Sequence, residues 1–361
     1  MPLDPTNDCK IALLPGDGIG PEVTASAVRV LEAVASRVPG LRFTFEEFQV
    51  GACAYLAGGD PLPPHVFESL AQFDAILLGA MGLPDVRRPG GVEMTPQLDL
   101  RERLDLYCGL RPIFLYHPDD SPLRDRQAGA IDLLLVRENT EGLFWSRTQT
   151  PTPDAAESMD MLLITRAGAE RICRAAFRQA LNRRRHVTLV DKANVLPSMA
   201  FFRGIFHDVA RDYPQIETDC IYVDAAALYL VQQPDRFDVL VTENMFGDIL
   251  SDLTAGLVGG MGMAPSADIG DRYAVFQPSH GSAPDIAGQG IANPVAAILS
   301  AAMMLEWLNT PETLRGAAMI RGAVRSVFSD RRLRTRDMRG TLSTGGMTDA
   351  VAGALDPAAI A

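Results

Sequence analysis

Apolar and polar positions along this chain fall into two alternating periods. Short apolar runs bounded by glycine, proline or charge occur at residues 10–14, 74–79, 131–136, 186–190, 220–223, 237–242 and 273–276, and they predict core strands. Longer patterns at residues 95–107, 165–183, 198–211 and from 295 onward predict helices, with two more closing the chain. In the stretch 244–253, Phe246, Ile249, Leu250 and Leu253 recur at i, i+3, i+4 and i+7, so that face is expected to pack into the protein. Strands alternating with helices predict an α/β fold whose chemistry lies at strand carboxyl ends. No internal repeat is visible.

Totals narrow the class. A length of 361 residues favours about two domains, and 47% hydrophobic with 22% charged residues is an ordinary globular composition. The formal charge of −12 argues against a general nucleic-acid binder or a binder of anionic membranes, while leaving room for a local basic pocket. Five scattered cysteines without a C-x-x-C spacing read as reduced thiols of a cytoplasmic protein. The N-terminus lacks a basic segment followed by an apolar one, so no signal peptide is expected. The apolar run at 294–305 is too short to span a bilayer.

Candidate chemistry starts with Asp248 and Asp252, four residues apart on one helix face. Two carboxylates that close repel unless a positive charge joins them. A hard cation such as Mg²⁺ or Mn²⁺ resolves this, because it prefers carboxylate oxygens; a solvated acidic face is the alternative. Arg101, Arg111 and Arg137 stand at predicted element ends and suit bidentate capture of carboxylates, against the alternative of surface salt bridges. Lys192, Asp224 and Glu243 fall at strand carboxyl ends. Residues 16–23 form a glycine-rich turn from strand to helix, a weak anion-site signal. The polar, proline-rich excursion between 142 and 160 is expected to form an arm toward a partner subunit.

With these pieces assembled, the sequence resembles the decarboxylating β-hydroxyacid dehydrogenases, the isocitrate/isopropylmalate dehydrogenase family. The resemblance runs nearly end to end and rests on GDGIGPEV at 16–23, DKANVL at 191–196, FGDILSDL at 246–253 and HGSAPDIAGQGIANP at 280–294. It implies an α/β, isopropylmalate dehydrogenase-like fold: a large mixed sheet flanked by helices, with a discontinuous large domain of residues 1–106 plus 259–361 and a smaller central domain of 107–258. It further implies a homodimer with shared sites, in which Lys192 and Asp224 cross the interface while Asp248 and Asp252 stay home.

The implied reaction is NAD-dependent oxidative decarboxylation of a 2-hydroxy-3-carboxy acid, 3-isopropylmalate or, alternatively, isocitrate, tartrate or D-malate. Asp224, Asp248 and Asp252 would hold Mg²⁺ or Mn²⁺, Arg101, Arg111 and Arg137 the substrate carboxylates, and Lys192, with Asp224, the catalytic role. The cofactor segment would comprise His280, Gly281, Ser282, Ala283, Pro284, Asp285 and Asn293. There Asp285 faces the adenosine ribose and favours NAD⁺ over NADP⁺.

Two positions depart from the family pattern. Phe144 stands where relatives carry the tyrosine that protonates the enol. Thr95, Gln97 and Leu98, with Met94, make a mixed apolar and polar lining for the C3 substituent, unless Gln97 points to solvent. A non-catalytic NAD-binding relative is the competing class, and the presence of Lys192 and all three aspartates weighs against it.

Overall fold

The computed structural model describes residues 8–89, 91, 93–147 and 154–357. The proline-rich segment expected to form the arm, 148–153, lies outside them. Its flanks are joined by an antiparallel bridge between Gly142 and Leu163.

A single sheet of ten strands runs through the described residues in the order β2-β1-β3-β10-β9-β4-β5-β8-β6-β7. The strands are β1 (Asp8–Gly16), β2 (Arg42–Glu47), β3 (Ala75–Ala80), β4 (Cys108–Phe114), β5 (Asp132–Glu138), β6 (His186–Asp191), β7 (Glu217–Tyr222), β8 (Val239–Thr242), β9 (Pro265–Ile269) and β10 (Ala274–Pro278). All strands expected from sequence are present, within a residue or a few at each end. The unanticipated ones are β2, β4 and β9. β2 reads RFTFEE and is largely exposed, whereas β4 and β9 are short and interrupted by proline and charge, so none carries an uninterrupted apolar run.

Strand direction divides the sheet. β2, β1, β3 and β10 run parallel to one another, β7, β6, β8 and β5 run parallel to one another, and the antiparallel pairs β10–β9, β9–β4 and β4–β5 join the two groups. One half of the sheet is therefore built by both ends of the chain and the other by its middle. The seam is the pairing of β9 with β4, where Gly109 stands opposite Asp268.

The helices are α1 (Gly20–Ala35), α2 (Ala52–Gly58), α3 (Pro64–Ser69), α4 (Pro96–Arg103), α5 (Arg166–Leu181), α6 (Pro197–Ala210), α7 (Val223–Gln232), α8 (Asn244–Gly256), α9 (Val295–Leu308), α10 (Pro311–Ser329) and α11 (Thr344–Gly353). α9 is buried from Val295 to Leu305 and packs on β9 and β10, with α1 and α10 beside it. That burial on all sides explains its uniformly apolar sequence.

The expected packing face of α8 requires correction. Leu250 is buried, but Ile249 is 59% exposed, and the face turned to the sheet carries Asn244, Gly247, Ser251 and Thr254. Gly247 explains the rotation: a Cβ there would stand 2.7 Å from Cγ of Arg137, so only glycine lets α8 lie against β5 with the arginine between them. Ile249 shares its exposure with Leu228 and Val231 of the neighbouring α7, so these helices present apolar side chains that the described residues leave uncovered.

No helix among the described residues is long and apolar enough to cross a membrane. The cysteines are all unpaired thiols, with Cys9, Cys108 and Cys173 buried.

Candidate functional site

A cavity of about 250 Å³ lies over the middle of the sheet, where strand direction changes. Its walls come from the carboxyl ends of β3 and β10, from β9, β4 and β5, and from α4 and α8. Arg101, Arg111 and Arg137 all line it, together with Gln97, Leu98, Phe144, Asp248, Asp252, His280 and Gly281.

α8 delivers the two aspartates because its N-terminus is held firmly. Glu243, fully buried at the end of β8, caps the helix by accepting from the N–H groups of Phe246 at 2.7 Å and Met245 at 3.1 Å. Glu243 is thus a cap and not a free acid of the site. Asp248 pairs with Arg137, which Asn244 also holds, accepting from Nε at 3.0 Å and Nη2 at 2.8 Å. Burial, with the charge of Arg101 next, lowers the Arg137 pKa to about 10. Partial burial and the neighbouring Asp248 charge push the Asp252 carboxyl above its ordinary range. The pair offers the carboxylate oxygens that a hard divalent cation prefers, Asp248 being shared with Arg137.

Beneath the floor sits Asp268 of β9, only 1% exposed, which the sequence reading missed. It accepts from Arg101 Nε at 2.9 Å, from Arg111 at 3.4 Å, from Asn139 Nδ2 at 2.9 Å and from Gln277 Nε2 at 2.6 Å. Burial opposes the charge on this carboxyl, but Arg101 and Arg111 overcome it and hold the pKa at about 2. An unfolded aspartate titrates near ~3.9, so the stability this ionised group contributes is present above that pH and lost as the pH falls toward 2. Asp268→Asn is expected to flatten the decline of denaturant-measured stability across that window.

The segments flagged for the C3 substituent separate. Gln97 and Leu98 line the cavity, and Gln97 Oε1 is buried without a hydrogen-bond partner, so Gln97 does not point to solvent. Thr95 and Met94 do not line it; Thr95 precedes α4 and Met94 is buried. The Phe144 ring lies 5.5 Å from the Arg137 guanidinium and completes the wall.

Lys192 and Asp224 stand outside this cavity. They pair with each other at 2.5 Å, at the ends of β6 and β7, and that contact holds the Asp224 carboxyl below its usual range. Asp224 is largely exposed, and no group of three His, Cys, Asp or Glu able to hold a metal exists among the described residues.

A second cavity of about 490 Å³ adjoins the first, with His280 lining both. Ala283, Asp285 and Asn293 line it, with Ile19, Ile286, Arg336 and Asp337. Burial lowers the His280 pKa; its Nδ1 donates to the Gly281 carbonyl at 2.9 Å and its Nε2 is buried and unpartnered. Ser282 is buried and donates to the Gly82 carbonyl at 2.5 Å, while Pro284 is exposed and lines neither cavity.

The glycine-rich turn serves chiefly to dock this loop. Gly18 takes a positive φ of 60°, a Cβ there would stand 1.9 Å from the Ser282 carbonyl oxygen, and the Ile19 N–H donates to that oxygen at 2.8 Å. Asp17 is occupied by the N–H groups of Ala52, Cys53 and Gly82, so it staples three segments together. Arg336 and Asp337 escaped the sequence reading because nothing in a short, polar connection near the C-terminus sets them apart.

The family model described as isocitrate/isopropylmalate dehydrogenase matches residues 10–351. The 3-isopropylmalate dehydrogenase of Moorella thermoacetica is 47% identical over 329 residues, covering 89% of this chain and 90% of that protein. The one from Thermotoga maritima is 43% identical over 357 residues, covering 95% and 98%. Among solved structures, an isocitrate dehydrogenase from Methylococcus capsulatus is similar at 39% identity and a TM-score of 0.86, over 96% of this chain and 99% of that one. A beta-decarboxylating dehydrogenase from Thermococcus kodakarensis is similar at 40% identity and a TM-score of 0.80, over 96% of each.

Proposed function

The chain belongs to the isocitrate/isopropylmalate dehydrogenase family, and on that premise we propose that it oxidises and decarboxylates a 2-hydroxy-3-carboxy acid of the 3-isopropylmalate type, using NAD⁺ and a divalent cation. The observation that carries this reading is the meeting of three arginines with Asp248 and Asp252 in one cavity that opens onto another bearing Asp285.

Asp248 and Asp252 would hold Mg²⁺ or Mn²⁺, completed by the partner subunit's Asp224. When bound, the cation supplies Lewis acidity at the substrate hydroxyl and at the oxygen that becomes an enolate, and NAD⁺ supplies the hydride acceptor. Arg101, Arg111 and Arg137 grip the carboxylates through their planar forks. The partner subunit's Lys192 receives the hydroxyl proton. Phe144 excludes water from the wall but donates no proton, so the enol carbon must be protonated by another group. Phe144→Tyr is expected to speed decarboxylating turnover; an unchanged rate of CO₂ release would mean that another acid already serves.

The protein is proposed to act as a homodimer, each site borrowing Lys192 and Asp224. Two features support it: these residues lie away from the cavity that needs them, and Leu228, Val231 and Ile249 leave α7 and α8 with an uncovered apolar surface. Residues 1–106 plus 259–361 and residues 107–258 would form the two domains flanking the cleft. Asp285, at the adenosine end, accepts from ribose hydroxyls and repels a 2′-phosphate, giving NAD⁺ over NADP⁺.

The test is metal-dependent NADH formation from 3-isopropylmalate, isocitrate, D-malate and tartrate in parallel, with NADP⁺ as control. A preference for 3-isopropylmalate is expected. A preference for a polar acid would mean that Gln97 governs the C3 pocket, and silence on all four with NAD⁺ bound would favour a non-catalytic relative.

A further inference from the structure

All three arginines of the substrate cavity are already engaged by acids of this chain. Arg137 is paired with Asp248, and both Arg101 and Arg111 are paired with Asp268. Asp268 cannot be a substrate or metal ligand, because it lies under the floor and out of reach of the cavity. Nor is it a replaceable surface partner: its oxygens receive four side chains from four different segments. A carboxylate so placed does two things. It fixes the forks of Arg101 and Arg111, and it cancels one unit of their charge in a region where water cannot screen it.

Charge around the cavity can then be counted. Arg101, Arg111 and Arg137 stand against Asp248, Asp252 and Asp268, three positive charges against three negative. On the reading above Lys192 is neutral when it receives the proton and Asp224 adds one negative charge, which the positive nicotinamide ring of NAD⁺ offsets, so the balance is unchanged. With a divalent cation on the α8 aspartates the site carries two positive charges. Two substrate carboxylates match that charge. A third would enter buried and unmatched, and the wall left for the C3 substituent offers Leu98 and the amide of Gln97, with no free cation.

The geometry points to Asp268 as the residue that sets substrate charge: by pairing Arg101 and Arg111 from beneath, it fits the cavity to a 2-hydroxy dicarboxylate with an uncharged C3 substituent and discriminates against tricarboxylates. It acts through the arginines and is a positioning and specificity residue. The inference rests on the dehydrogenase reading above.

The experiment compares wild type, Asp268→Asn and the charge-conserving Asp268→Glu on a dicarboxylate, 3-isopropylmalate, and a tricarboxylate, isocitrate. Removing the charge is expected to raise the kcat/KM ratio of tricarboxylate to dicarboxylate by about tenfold, mainly through KM. Asp268→Glu should stay near the wild-type ratio. A merely structural role would lower both substrates alike and leave the ratio unmoved, which would overturn the inference.

A binding measurement on the wild type covers the case in which Asp268→Asn does not fold. With Mg²⁺ and NAD⁺ present, thermal shifts are read against two unreactive acids, methylsuccinate and tricarballylate. The diacid should bind about tenfold tighter, and equal or tighter binding of the triacid would overturn the inference. Absence of turnover on both, and on D-malate and tartrate as well, would defeat the dehydrogenase reading instead, while the ranking of the two analogues still decides the charge claim.

Discussion

Mixing a Lys192→Met variant with an Asp252→Asn variant, each nearly inactive alone, should restore roughly a quarter of wild-type activity, as expected for random pairing of subunits in a two-fold dimer. Loss of the general base costs ~10²–10⁴-fold in kcat, and loss of one metal-site carboxylate weakens the cation's hold on the same site. If each site takes Asp252 from home and Lys192 from across the interface, a hybrid carries one site with both defects and one with neither. Subunits refolded together from denaturant and assayed against each variant refolded alone would show the recovery. Mass spectrometry under native conditions would count the hybrids. Hybrids without recovered activity would mean that Lys192 serves its own chain. That outcome would require Lys192 to leave Asp224 and reach a cavity it does not line in the structure.

Asp285→Asn is expected to lower kcat/KM for NAD⁺ by ~10–100-fold, the range for losing a charge-assisted hydrogen bond to the ribose. The same change should raise kcat/KM for NADP⁺, because it removes a repelling charge from a cavity that also carries the guanidinium of Arg336. Steady-state kinetics with both dinucleotides checks this. An unchanged NAD⁺ parameter would place the adenosine ribose elsewhere. Asp285 is exposed, and its bond to Gln289 runs through the backbone carbonyl, which asparagine keeps, so the substitution should leave stability almost untouched.

Much of this architecture was legible because its strands bury continuous apolar runs. β3, reading AILLGA, is buried at every position, and a sequence of that kind has few other uses. The paired acids of α8 and the loop from His280 were legible for a different reason, since their spacing and order carry the family resemblance. What stayed hidden has a common physical cause. Asp268 acquires its meaning from Arg101, 167 residues earlier, and from Gln277 on the adjacent strand. A lone aspartate in a five-residue strand gives no local sign that two arginines will converge on it. The orientation of α8 failed similarly. Apolar spacing predicted Ile249 inward, whereas the passage of Arg137 past Gly247 turned a polar and small-residue face to the sheet. Periodicity reports which residues prefer burial, and it does not register a neighbouring side chain that turns the helix away from that face.

The division of the sheet by strand direction bears on how the chain must be made. During synthesis β3 emerges with one flank paired to β1 and the other bare, and its rightful neighbour β10 follows almost two hundred residues later. β4 likewise waits for β9. Until β10 is made, the N-terminal portion can therefore pair only one flank of the buried, apolar strand β3, and the arrival of β10 covers the other. Pairing across such separations is slow, and an open edge of this composition invites the edges of other nascent chains. Truncation before residue 274 is thus expected to yield insoluble material, which a solubility assay of the shortened chain checks.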